Sequence, residues 1–168
     1  LLTCVVTSLS LDGTGSSDDP EMSYTWTTSD GAILSGAGAL TPVVNEPGVY
    51  QLEVLNTENG CTATDLVEIG QDVERPNAVA GEDQQLDCHT TEVNLSSAGS
   101  SVGALYEYEW LTEGGGVLVS TEADPLITQP GTYVPQVTNQ ENGCTATDEV
   151  VVTEIADLPV QISLAFAP

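Results

Sequence analysis

Eight consecutive residues occur twice in this chain: Glu58 to Asp65 reads ENGCTATD, and Glu141 to Asp148 reads the same. Chance does not produce a match of that length, so the chain carries two homologous copies of one module. The copies are offset by 83 residues at this motif and by 84 at Cys4 and Cys88. One residue has therefore been lost or gained in the stretch after the tryptophan. Leu9 and Leu11 match Val93 and Leu95, Trp26 matches Trp110, and the PGVY ending at Tyr50 matches the PGTY ending at Tyr133. A period this long makes each unit an independent domain rather than one turn of a solenoid. The repeats read as 1–72, lacking its first strand, and 73–157, with linker and first strand, followed by 158–168 as the linker and first strand of a further repeat.

Within each copy the apolar period is two. Met22, Tyr24 and Trp26 alternate with Ser23 and Thr25, and Tyr106, Tyr108 and Trp110 alternate with Glu107 and Glu109. That is the pattern of a half-buried strand. Tyr50, Leu52 and Val54 repeat it, and Asn59-Gly60 and Asn142-Gly143 supply the positive φ angles of a two-residue hairpin turn before the next strand. No apolar residues recur at helical spacing for three turns, and Gly, Pro, Ser, Thr and Asn punctuate the chain throughout. The predicted fold is all-β: two tandem immunoglobulin-like sandwiches. Pro135, which replaces Leu52, removes a ladder donor and predicts an edge or a bulge in its strand.

Asp and Glu total 26 against a single Lys or Arg, Arg75, giving a formal net charge of -25. The sign of the Coulomb term excludes nucleic acid and anionic membrane as partners. Such a surface attracts divalent cations and tolerates high salt, because mobile ions screen its self-repulsion within about 8 Å at physiological strength. Hydrophobic residues nevertheless make up 40% of the chain and the acids are scattered, so it reads as folded. No run of eighteen apolar residues is present to insert in a membrane, and no basic segment precedes an apolar one as in a signal peptide. Targeting information is expected outside the sequence given.

The four cysteines fall at nearly equal separations: 57 residues from Cys4 to Cys61 and 56 from Cys88 to Cys144. Pairing within each repeat treats the copies equivalently and leaves each domain self-contained, so one disulfide in each is expected. Closing a loop of that size stabilises a domain by roughly 4 kcal/mol on the chain-entropy estimate and implies an oxidising, extracellular location. Zinc would need closely spaced ligand pairs, which the sequence lacks.

The run LSLDGTGSSDDPEMSYTWTTSDG, followed by PGVYQLEVLNTENGCTATDLVEI, resembles the polycystic-kidney-disease-type (PKD-like) and immunoglobulin-like repeats of large secreted bacterial surface proteins. The resemblance covers nearly the whole chain. It implies a stalk module of an adhesin or surface filament, of the kind common in gliding, often marine, bacteria, with adjacent copies of the repeat as its partners.

No residue pattern points to catalysis. His89 is the sole histidine and its counterpart in the other copy is Val5, and lysine is absent, which excludes Lys-to-Asn isopeptide crosslinks. The acids of one loop, Asp12, Asp18, Asp19 and Glu21, have no acidic counterparts in the second repeat and read as a solvated turn. Asp72, Glu74, Glu82, Asp83 and Asp87 crowd the linker and are the better candidates for calcium, the one cofactor considered, since like charges packed together need a cation or water. Trp26 and Trp110 alternate with polar neighbours and read as core rather than sugar platforms. Tyr50 and Tyr133, each after Pro-Gly, read as corner tyrosines of sandwich folds.

Copy two is preceded by PNAVAGEDQQL, a first strand, and residues 159–168 align with 76–85. Val160, Ile162, Leu164 and Phe166 alternate there with small or polar residues. The sequence favours a window on a longer array over a processed subunit whose terminal strand completes a neighbour by β-augmentation. The competing functional reading is a carbohydrate- or protein-binding accessory module of a secreted enzyme, which requires an exposed aromatic patch.

Overall fold

The computed structural model describes residues 1–113 and 118–155. Among them the regular elements are β-strands and no α-helix occurs. The chain divides into two compact units: residues 1–74 together with 141–144, and residues 75–140 together with those from Thr145 on. The turn 141–144 thus belongs to the second repeat by sequence and to the first unit by its contacts.

Unit 1 contains β1 (Leu2–Thr3), β2 (Leu9–Ser10), β3 (Met22–Thr28), β4 (Ile33–Ser35), β5 (Val43–Val44), β6 (Gly48–Asn56), β7 (Thr62–Ile69) and β8 (Gln71–Asp72). One sheet runs β2-β5-β4 and the other β3-β6-β7, with β1 parallel to β8. This is the B-E-D and C-F-G order of an immunoglobulin-like sandwich. Alternate residues of β3 and β6 face inward, so Trp26, Tyr50 and Leu52 meet Leu11 and Val44 in one buried cluster. Burying a side chain such as Leu52 contributes about 2 kcal/mol or more.

Unit 2 contains β9 (Gln84–Leu86), β10 (Val93–Asn94), β11 (Tyr106–Thr112), β12 (Leu118–Ser120), β13 (Leu126–Ile127), β14 (Gly131–Asn139), β15 (Thr145–Thr147) and β16 (Val150–Glu154). Its larger sheet runs β12-β11-β14-β16-β9, with β15 also on β14, and β10 pairs with β13. The core gathers Ala80, Leu86, Val93, Leu95, Trp110, Ile127, Tyr133, Val150 and Val152. The registers agree between units: Leu9 opposes Val44 as Val93 opposes Ile127.

Hydrogen bonds locate the one-residue length difference. Trp26 Nε1 donates to Ala39 O and Trp110 Nε1 to Ala123 O, an offset of 84, whereas the amides of Leu11 and Leu95 donate to Pro42 O and Pro125 O, an offset of 83. The change lies between Ala39 and Pro42.

Two local expectations are corrected. The Asn-Gly turns are not two-residue hairpins, since among the described residues no non-glycine residue has positive φ, and in these two turns it is Gly60 (75°) and Gly143 (69°) that are left-handed while the asparagines are not. The loop is wider because Asn56 organises it: Gly60 N–H donates to Asn56 O at 2.8 Å, and Asn56 Oδ1 accepts the amides of Glu58 and Asn59. A side chain that caps amides inside a turn substitutes for the tighter backbone geometry. Pro135, for its part, is not on an edge. It lies in β14 between β11 and the strands opposite, and the interruption falls on its partner: where β7 is continuous, the equivalent stretch is split into β15 and β16. The missing N–H leaves the strand opposite without one ladder bond; the Asp148 amide still donates to Pro135 O, at 3.3 Å, while its carboxylate accepts the amide of Ala80 at 2.9 Å.

Candidate functional site

The first cysteine of each repeat stands in the same loop. In unit 1, Leu2 pairs with Gln71, Thr3 N–H donates to Val6 O at 2.9 Å, and Thr3 Oγ1 accepts the amides of Val6 (3.0 Å) and Val5 (3.3 Å). In unit 2, Leu86 pairs with Glu154, Asp87 N–H donates to Thr90 O at 2.9 Å, and Asp87 Oδ1 accepts the amides of His89 and Thr90, each at 2.7 Å. The amides of Thr90 and then His89 stabilise the Asp87 anion and hold its carboxyl below the usual range. Cys4 and Cys88 therefore occupy matching positions in preformed side-chain-capped turns.

The second cysteine of each repeat follows an Asn-Gly turn, and the two turns differ in surroundings. Asn142 is 1% exposed: its Nδ2 donates to Asp72 Oδ1 at 2.8 Å and to Glu74 O at 2.9 Å, while its Oδ1 accepts the Cys144 amide at 2.9 Å. Gly143 lies so close to Val5 that a methyl there would come within 2.5 Å of it. Cys144 is buried and bonded to Cys4, with 5.0 Å between their Cα atoms. Asn59 likewise accepts the Cys61 amide, at 2.8 Å, but this turn is exposed and Gly60 faces open space.

The expected pairing of Cys4 with Cys61 and Cys88 with Cys144 is therefore overturned. One disulfide, Cys4–Cys144, is formed, and Cys61 and Cys88 are exposed thiols. Strand length gives the reason. Cys4 follows β1, which pairs with β8 at one end of β7, while Cys61 precedes β7 at its other end. Eight residues of extended chain at about 3.3 Å each separate the two by far more than the roughly 7 Å that a disulfide spans. The β15 and β16 segment separates Cys88 from Cys144 in the same way. The signal for the observed pairing was present in the repeat itself: a staggered scheme, first cysteine of one repeat to turn cysteine of the next, also treats the copies alike.

The linker carboxylates are engaged separately. Asp72 accepts from Asn142 and from the Glu74 amide, Asp83 accepts the Val151 amide at 2.9 Å, Asp87 caps its own turn, and Glu82 takes part through its carbonyl, which accepts from Gln84. Among the described residues no group of three or more His, Cys, Asp or Glu is placed to hold a metal ion. Asp12 is held below the usual carboxylate range, first by the hydroxyl of Thr14 and then by its amide. Trp26 and Trp110 are both buried. Tyr50 Oη donates to Glu46 O at 2.6 Å and accepts the Ala32 amide at 3.0 Å, and Tyr133 Oη donates to Gln129 O at 2.9 Å.

Sequence reasoning did not find an open cleft of about 560 Å³ in unit 1, walled by Leu11, Trp26, Leu52, Leu66 and Val67 and rimmed by Ser16 and Asp65. Ser17 stands in an adjoining recess, which Ser16 and Asp65 also line. In unit 2 the matching residues hold the chain's own segment 77–81. Ser101 Oγ accepts the Asn77 amide at 2.9 Å, Ser100 Oγ the Val79 amide at 2.8 Å, and Asp148 the Ala80 amide, and Ala80 joins the core.

No family model matches the chain, and no curated protein matches it. Among solved structures it is similar to Sidekick-1 immunoglobulin domains 1–5, at 16% identity and a TM-score of 0.39 over 88% of this chain and 37% of that one. It is also similar to the three N-terminal domains of the outer capsid protein Hoc of bacteriophage RB49, at 19% identity and a TM-score of 0.41 over 83% and 51%. Domains 3–5 of Drosophila OTK give 13% and 0.37 over 80% and 53%. The chain spans about a third to a half of these structures, and at such scores the likeness carries no argument about function.

Proposed function

We propose that this chain is a non-catalytic structural repeat of an extracellular filament or adhesin stalk, built to carry tension rather than to perform chemistry. The disulfide Cys4–Cys144 carries the reading. Tension applied outside these two cysteines passes through the bond, so the 140 residues of sequence separation it closes are shielded from stretching. A cystine also needs an oxidising compartment to persist, which supports a location outside the cytoplasm. The sparsity of cations and the salt tolerance of a chain with net charge -25 suit an exposed, ion-rich medium. The PKD-like resemblance of both repeats agrees with a bacterial surface stalk.

Single-molecule pulling from the two termini tests this. With the bond intact, extension stops short of the fully unfolded contour by about 3.5 Å for each enclosed residue, on the order of 490 Å in all. Reductant restores the missing length. Full extension without reductant would defeat the proposal.

A further inference from the structure

Seven asparagines occur in the chain, and one of them, Asn94, has a serine or threonine two residues after it. The run is Glu92-Val93-Asn94-Leu95-Ser96, an acceptor sequence for N-linked glycosylation with a residue other than proline in the middle. Such a triplet also arises by chance, so its place in the fold decides whether it can carry a sugar.

Asn94 ends β10, and the residues around it alternate between the two sides of that strand. Val93, Leu95 and Ser97 are buried, the first two in the core of unit 2, while Glu92, Asn94 and Ser96 are exposed. The asparagine and the serine that glycosylation requires therefore share the outer face. The backbone is held on both sides of the site: Val93 and Asn94 pair with Ile127 and Leu126, and Leu95 N–H donates to Pro125 O at 3.0 Å. Ser96 Oγ accepts the Ala98 amide at 3.3 Å, and among the described residues the Asn94 side chain makes no hydrogen bond. All of these contacts lie inside unit 2, and none of them needs the Asn94 amide.

The neighbour across the ladder is Leu126, 53% exposed, with its Cβ about 5 Å from that of Asn94 as in any directly opposed pair. The equivalent pair in unit 1 is Ser10 and Val43, and Val43 is partly buried. An acceptor beside an exposed apolar side chain is thus particular to the second repeat.

We infer that Asn94 is an acceptor site for an N-linked oligosaccharide whose first sugar ring lies against Leu126. Asn94 Nδ2 attacks the anomeric carbon of an oligosaccharide carried on a polyisoprenyl pyrophosphate. The C–O bond to the pyrophosphate breaks and an N–C bond forms; the lipid pyrophosphate leaves with the bonding electrons and takes up the amide proton. Transfer precedes folding, because a strand bonded to β13 is not free to enter a transferase. The fold has then to tolerate the product, and an outward asparagine with no hydrogen bond to lose does so. One residue earlier or later, the same attachment would enter the core. The C–H face of the ring removes part of Leu126 from water, which favours the attached arrangement. The inference draws on the export from the cytoplasm contained in the reading above, but it is read as a mass and the pulling experiment as a length, so each can fail alone.

Secretion of the full chain from a eukaryotic host tests the site, read by intact mass and by mapping the modified residue after release with peptide N-glycosidase. The expected product carries one oligosaccharide, on Asn94, together with the Cys4–Cys144 disulfide. Asn94→Gln and Ser96→Ala each abolish the added mass, while Ser96→Thr retains it. The glycosylated chain melts about 2 °C or more above the Asn94→Gln chain, and Leu126→Ser removes that difference. A secreted, disulfide-bonded chain at the bare mass of 17.5 kDa overturns the site. So does a sugar mapped to Ser96 or elsewhere with Asn94 unmodified. A melting difference that survives Leu126→Ser overturns the packing of the sugar on that residue.

Discussion

One eight-residue sequence, ENGCTATD, stands in two environments in this molecule. At 141–144 its first half is packed into unit 1, with Asn142 buried, Gly143 against Val5 and Cys144 bonded to Cys4. At 58–61 the same residues form a turn with the same Asn-to-Cys amide bond, at 2.8 Å against 2.9 Å, but stand in solvent. The turn is therefore an autonomous local structure that exists before it is docked. Docking adds contacts without reshaping it. A part that is pre-organised loses little conformational entropy on binding.

The contrast can be broken most decisively at the disulfide. Replacing Cys4 and Cys144 together by serine removes a crosslink that closes a long loop and should cost up to about 5 kcal/mol in urea unfolding without reductant. Cys61→Ser, at the exposed copy, should change stability by less than about 0.5 kcal/mol under the same conditions. Equal effects would mean that the seated turn is not a stabilising element.

The asparagines sharpen the comparison. Asn142→Ala removes all three hydrogen bonds of a buried side chain, those to Asp72 Oδ1 and Glu74 O and that from the buried Cys144 amide, which is left without its acceptor, and should cost about 2 kcal/mol. Asn59→Ala loses one exposed turn bond and should cost about 0.5 kcal/mol, measured by the same unfolding curves. The glycines come next. Both Gly143→Ala and Gly60→Ala pay the left-handed φ penalty, about 1 kcal/mol, but only the former also meets Val5, so its effect should be the larger.

The smallest effect concerns the loops of the first cysteines, where Asp87 in unit 2 does what Thr3 does in unit 1. Asp87 has its carboxyl lowered from an ordinary value of 3.8 by the amides of Thr90 and His89. A depressed pKa in the folded state means that the contribution to stability is complete above the ordinary value and is lost as pH falls through the lowered one. NMR titration should show the His89 and Thr90 amides shifting together below pH 3.8, while the Val5 and Val6 amides, bonded to a hydroxyl, stay unmoved.

The all-β class was readable because a period of two is a local property: Tyr24 and Trp26 on one face, Ser23 and Thr25 on the other, decide strand rather than helix within a few residues. The hairpin turns were legible in position but not in form. Asn56, three residues before Asn59, accepts two amides in the loop, and that participation is invisible in an Asn-Gly pair taken alone. The cleft of unit 1 was not legible at all, although its components, Ser16, Ser17 and Asp65, recur in the second repeat at Ser100, Ser101 and Asp148. Their shared task emerges only when residues 77–80 are seen lying across one set of them.

By itself, the sequence determined that the chain repeats a module, that the module is made of strands, and where its turns fall, because repetition and alternation are encoded between near neighbours. Only the tertiary structure decided which cysteines meet and which copy of an identical turn is buried. Those outcomes depend on distances across the fold: a strand the length of β7 sets Cys4 and Cys61 at opposite ends, and nothing in their spacing along the chain records that separation.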